Sequence, residues 1–166
     1  MDAIYNRSSV RSFSADKVSA EDIEALLRAA MAAPSAGNQQ PWEFYVVQDE
    51  AKLKSLATAS PYAKPASKAP CVIVPCVRTN ELRFAECAPQ DMSAAIENML
   101  LEACELGLGT VWMGIAPAQE RMERVAQTLV LPEGIEPFAL VAVGYPAEIP
   151  NPQGATRYDA KRIHWV

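Results

Sequence analysis

Residues 90–115 read QDMSAAIENMLLEACELGLGTVWMGI, and the fold turns on how this run divides. Met92, Ala95, Ile96, Met99, Leu100, Ala103 and Leu106 recur at three- and four-residue steps, which predicts one long helix with a wide apolar stripe. Ala94, Leu101 and Cys104 leave little polar surface opposite, so the helix is expected to be buried nearly all round. Gly107 stands where a left-handed residue would stop it. Residues 108–115 lack helical polarity but carry Thr110, Val111 and Trp112, which suit a strand. A helix this apolar needs partners on several sides. They are either the rest of its own core or another subunit, and composition leaves both open.

Outward from this run, the chain of 166 residues is long enough for one domain with a real core, and it holds no repeat and no second domain. The net charge of −5 argues against nucleic acid or an anionic membrane as the main partner, since both call for a basic surface. The first residues, MDAIYNRSSVRSF, place charges where a signal peptide needs its apolar centre, and no later run reaches membrane-spanning length, so a cytoplasmic protein is expected. Cys71, Cys76, Cys87 and Cys104 lack CxxC spacing and read as buried thiols. His164 is the single histidine, which disfavours a histidine metal centre or a Ser-His-Asp triad.

Before the long helix, residues 2–6 suit a short helix, and Arg7-Ser8-Ser9-Val10-Arg11 is the first stretch with chemical character. Extended, it sets two guanidinium forks about a hydroxyl on one side, a phosphate-sized arrangement. Helical, it keeps Arg7 and Arg11 on one face but turns Ser9 away. The same spacing also describes two solvated surface arginines. Ser19-Ala20-Glu21-Asp22 opens a helix of capping-box kind with Ile23, Leu26, Leu27, Ala30 and Met31 inward, and Pro34 ends it. The loop PSAGNQQP, residues 34–41, has small residues and side-chain amides that let its backbone approach a flat ligand; it is equally a plain helix-to-strand connection.

Strands are predicted over 42–48 and 71–77, with a helix capped by Asp49 over 50–59 between them and a loop over 60–69. Pro75 removes a ladder donor and predicts an edge position or a bulge. Residues 79–89 read as an irregular link. Pro117 is expected at the start of a helix over 118–129, residues 138–143 form a buried strand, and a tail with Pro150, Pro152 and Gly154 crosses a surface, its own or a partner's.

RSSVRSF (7–13), PSAGNQQPWEF (34–44), the run 90–115, ALVAVGYP (139–146) and RYDAKRIHW (157–165) together resemble the FMN-dependent nitroreductase-like family, in the family's order and over nearly the whole chain. The resemblance implies an α+β fold, an antiparallel central sheet flanked by helices, in an intertwined homodimer with FMN at the interface. Arg7, Ser8, Ser9 and Arg11 match the family's opening flavin segment, which implies that Arg7 and Ser9 hold the phosphate and that Arg11 approaches the ribityl chain and the pyrimidine end of the ring. Pro34, Ser35, Ala36 and Asn38 match the loop that reaches the ring from the other subunit. Met113 and Gly114 match the backbone near the reactive flavin nitrogen, and Arg157 and Arg162 match tail positions completing the phosphate site. The implied activity is ping-pong NAD(P)H oxidoreduction of a small-molecule acceptor, nitroaromatic or quinone-like. Other flavin chemistry on the same scaffold, oxidative or dehalogenating, and a non-catalytic flavin-binding dimer are the alternatives. Gly107-Leu108-Gly109 is no dinucleotide fingerprint, so NADH and NADPH are not distinguished. The chain leaves little room for the insertion that often covers the family's substrate side.

Overall fold

The computed structural model describes residues 2–80, 82–152 and 156–166; Gly154 of the tail lies outside them. In chain order the elements are α1 (Ala3–Asn6), α2 (Ala20–Met31), β1 (Trp42–Val47), α3 (Glu50–Leu56), β2 (Cys71–Arg78), α4 (Ala88–Glu105), β3 (Gly109–Gly114), α5 (Gln119–Leu129), β4 (Ile135–Pro137) and β5 (Ala139–Gly144). The sheet is antiparallel in the order β1-β2-β5-β3, with β4 also paired to β2. Helices cover both faces, which is the expected α+β architecture.

Alternation along the two inner strands sorts the core into two layers. Cys71, Ile73, Val141 and Val143 join α2 and α4 in one cluster, with Leu26, Met92, Ile96 and Met99. Val72, Val74, Cys76, Leu140 and Ala142 join α3, α5 and residues 63–69 in the other. Burial pushes the thiols of Cys71 and Cys76 up to about 12, so both sit in the sheet as neutral apolar groups.

The long helix runs as predicted and starts two residues earlier, with Pro89 in its first turn. It stops in a Schellman arrangement: the Gly107 amide donates to the Cys104 carbonyl at 3.2 Å and the Leu108 amide to Ala103 at 2.8 Å, with Gly107 at φ +72°. Burial is one-sided in the single chain. Ala94, Leu101 and Cys104 are only half-buried, and Glu97 between them is exposed.

Pro75 does not lie in an edge strand, because β2 has neighbours on both sides. The register explains how proline is tolerated. Ile73 faces Val141 but Cys76 faces Pro137, so the opposing strand carries one extra residue where β5 gives way to β4. The Pro75 carbonyl accepts the Phe138 amide at 2.9 Å, and the missing N–H falls at this break, where no ladder partner is required. The bulge therefore belongs to the neighbour.

Other boundaries shift for local reasons. Ser19 accepts the Asp22 amide at 2.9 Å, as a cap should, but Met31 at the helix end is exposed. Asp49 caps α3 through the Lys52 amide at 2.9 Å. Helix α5 begins at Gln119 rather than beside Pro117, and β4 was not anticipated because three residues carry no readable alternation. No described helix is long and apolar enough to cross a membrane.

Candidate functional site

Strand β3 is an edge of the sheet, and the arginine segment leans on it. Ser9 bridges Thr110 in parallel sense, and the Val10 amide donates to the Thr110 carbonyl at 2.9 Å. Gly109 permits this approach, since a Cβ there would lie 2.8 Å from the Val10 side chain. The extended reading of residues 7–11 is thus the one realised.

Arg7, Ser8, Ser9 and Arg11 line a cleft of about 450 Å³, joined from the tail by Arg157 and Glu148. Three guanidinium groups share this space with one carboxylate lining it. The Arg7 Nε lies 3.5 Å from Glu97 Oε1 on α4, and an Arg11 nitrogen donates to its own segment, to the Ser9 carbonyl at 3.2 Å. Neither contact exhausts the five donors of a guanidinium, so the cleft keeps free capacity for an anion.

Arg11 also lines a second cleft, of about 560 Å³, with Tyr62, Pro65, Trp112, Met113, Gly114 and Arg121. The two clefts therefore share Arg11 as a wall. Met113 is buried, Gly114 is exposed, and a Cβ at Gly114 would meet nothing within 4 Å. Arg121 donates to the Gly114 carbonyl at 3.4 Å, and its guanidinium carbon lies 5.9 Å from the centre of the Tyr62 ring. Together the pair of clefts offers one end with three guanidinium groups and another with the exposed Gly114 backbone beside Tyr62 and Trp112.

The loop at 34–40 lies apart from both clefts. The Ala36 amide donates to Asp91 Oδ1 at 2.9 Å, and Gln39 Nε2 to Asp91 Oδ2 at 2.7 Å. Gln39 also exchanges two 3.0 Å bonds with the Phe84 backbone, and the Ser35 hydroxyl accepts the Gln40 amide at 3.0 Å. Gly37, Asn38 and Gln40 all have positive φ, a backbone that this clasp holds in place. Pro34 and Asn38 stay exposed, while Ser35 and Ala36 are half-buried. Arg162 lines neither cleft and is exposed, 3.4 Å from Asp159.

Sequence reasoning overlooked Tyr62, Pro65, Arg121, Glu97 and Asp91. Only Asp91 left a readable trace, as the single acid in the first turn of the long helix. Among the described residues no group of three or more His, Cys, Asp or Glu is arranged to hold a metal ion.

The fold is thus an antiparallel α+β sheet with an arginine-lined cleft beside the exposed backbone of its β3 edge. Residues 4–67 and 60–145 match the model of the Nitroreductase family, and the chain belongs to that family. It is 42% identical to an Archaeoglobus fulgidus protein provisionally named NADH dehydrogenase/NAD(P)H nitroreductase, across 97% of this chain and 94% of that one. A crystal structure from Clostridium acetobutylicum, provisionally called an NADH oxidase, superposes with a TM-score of 0.91 at 45% identity, over 98% of each chain. A nitroreductase, provisionally so called, crystallised in complex with FMN from Desulfovibrio desulfuricans superposes at 0.78 with 30% identity, over 95% of this chain and 94% of that one.

Proposed function

We propose that this chain is an FMN-dependent NAD(P)H oxidoreductase, working as one domain over residues 1–166, that reduces nitroaromatic or quinone-like acceptors by a ping-pong cycle. The observation that carries the reading is that two clefts share Arg11 as a lining residue, one with three guanidinium groups and the other bounded by Met113 and Gly114. The residues fit the cofactor. Its phosphate is close to a dianion, and Arg7, Arg11 and Arg157 answer it with the Ser8 and Ser9 hydroxyls beside them. The flat ring matches the exposed Gly114 edge, where a missing Cβ leaves room for a stacked partner.

FMN supplies hydride exchange when it is bound. The protein's share is binding, orientation and charge. Arg11 lines both clefts, so its cation can lower the cost of negative charge at the pyrimidine end of the ring. Glu97, by holding Arg7, keeps one fork aimed along the wall of the cleft. Donor and acceptor take turns over Gly114, which explains why no catalytic triad is needed.

The same reading makes the protein a homodimer. Three observations support it: the half-exposed face of α4, the exposed apolar tail residues Tyr158, Ile163 and Trp165, and a polar loop at 34–40 that meets neither cleft of its own chain. In the dimer Pro34, Ser35, Ala36 and Asn38 reach the partner's flavin, and Arg162 acts beyond its own subunit. The expected location is the cytoplasm.

The test is the visible absorption spectrum of the purified protein, recorded anaerobically before and after NADH and then NADPH. A flavin spectrum that bleaches supports the oxidoreductase, and recovery on adding a quinone or a nitroaromatic supports the acceptor class. Absence of flavin after incubation with FMN overturns the reading in favour of a non-catalytic dimer. Flavin that binds but resists both donors points to other chemistry on the scaffold.

A further inference from the structure

The ring cleft does not end at Gly114. Arg121 forms part of its wall and also lines a separate groove of about 440 Å³ with Thr58, Ala59, Ser60, Glu120 and Arg124. The two arginines are three residues apart on α5, so they are neighbours on the helix surface. Their states differ. Arg124 is already engaged, with Glu120 at 2.6 Å and the Thr58 carbonyl at 3.4 Å. Among the described residues the Arg121 side chain makes only the long 3.4 Å bond to Gly114 and the ring contact with Tyr62, and no carboxylate lies within ion-pair distance of it.

A half-buried guanidinium without an anionic partner, in a protein of net charge −5, is a recognition point in waiting. Its position says for what. A ligand with a flat head over Gly114 and an anionic group further along would cross Arg121 and enter the groove. A small nitroaromatic or quinone ends at the head. A pyridine dinucleotide continues through ribose to pyrophosphate.

We infer that Arg121, with Arg124 beside it, receives the pyrophosphate of the electron donor, so that the groove beside residues 58–61 is a donor subsite that the acceptor does not use. The inference rests on the oxidoreductase reading and adds to it where the donor lies. Glu120 has a part in it, because its carboxylate must yield Arg124 for that residue to share the phosphates. Most of the affinity therefore comes from Arg121.

The experiment uses the FMN-loaded protein and two readouts. ADP-ribose, which has the pyrophosphate and no nicotinamide, is titrated calorimetrically into wild type, Arg121→Gln and Arg121→Lys. Anaerobic stopped-flow then follows flavin reduction against NADH concentration. Arg121→Gln is expected to weaken both ADP-ribose and NADH roughly tenfold to a hundredfold, the range for losing charge-assisted bonds. Arg121→Lys, which keeps the charge but loses the fork, falls between, and the limiting reduction rate changes much less than the affinity in both. Equal ADP-ribose affinity in all three proteins overturns the inference. So does a wild type whose flavin is reduced by NADH while ADP-ribose fails to bind, and in that case the oxidoreductase reading stands. A wild type whose bound flavin neither donor reduces overturns both.

Discussion

Residues 7–11 and residues 34–40 are both short polar stretches, yet they spend their hydrogen bonds in opposite ways. The first makes a single bridge to the edge of β3 and leaves its guanidinium donors largely unfilled in a cleft. The second is almost saturated from within, by Asp91, by the Phe84 backbone and by the pairing of Ser35 with Gln40. Unfilled donors in a concave place are the mark of binding; filled ones are the mark of shape. The loop is thus held in one shape by its own chain, and in the proposed dimer it is the part that reaches the neighbour's flavin.

The strongest way to break this contrast is to delete the open side. Arg7→Ala combined with Arg11→Ala should weaken FMN by at least about a hundredfold, since each fork is worth on the order of 1.5–3 kcal/mol to a charged group. Compared as flavin-free proteins, the far-ultraviolet circular dichroism and the melting temperature should hold, because neither side chain belongs to the core clusters. Flavin content equal to wild type, read at the visible flavin band, would remove residues 7–11 from the site.

Deleting the closed side should do the reverse. Asp91→Ala strands the Ala36 amide and the Gln39 amide group at a position only 5% exposed, at a cost of roughly 2–3 kcal/mol in denaturant unfolding. Asp91→Asn, which keeps one acceptor, should cost less. Hydrogen exchange should rise over residues 35–40 in both, with flavin affinity falling only as far as the loop's order matters to it. An Asp91→Ala protein as stable as wild type would mean that the loop is shaped by something else.

The contrast was only half legible in the sequence. The helix of residues 90–106 and the inner strands could be read because long apolar periodicity has few competing explanations. Arg7 and Arg11 could be singled out by type and spacing, but not their cleft, which depends on β3 being an edge strand with Gly109 under Val10. The clasp on the loop could not be read, because Asp91 stands out by its place in the helix but its partners do not. It joins Ala36 and Gln39 to Asp91 across more than fifty residues, and nothing in the local pattern marks a contact at that distance. Pro75 misled for the same reason: its local rule was sound, but the bulge that satisfies it lies in β4–β5.

A smaller test pairs a glycine of the loop with one on the β3 edge beside the cleft. Gly37 sits at φ +54°, and a Cβ there would lie 2.6 Å from the Phe84 ring, so alanine must both hold a left-handed backbone and displace a neighbour. Gly37→Ala should therefore cost about 1–2 kcal/mol from the backbone alone, seen as a lowered unfolding midpoint. Gly114 has no positive φ, and its added methyl would meet nothing within 4 Å, so Gly114→Ala should leave the midpoint unchanged. Its effect should appear only in turnover, as a lower kcat/KM with flavin content intact, because the methyl would occupy space that the proposed stacked substrate needs. If Gly114→Ala instead lowers stability while Gly37→Ala does not, the assignment is inverted: the backbone at β3 is the rigid scaffold, and the loop is the place that keeps room for a ligand.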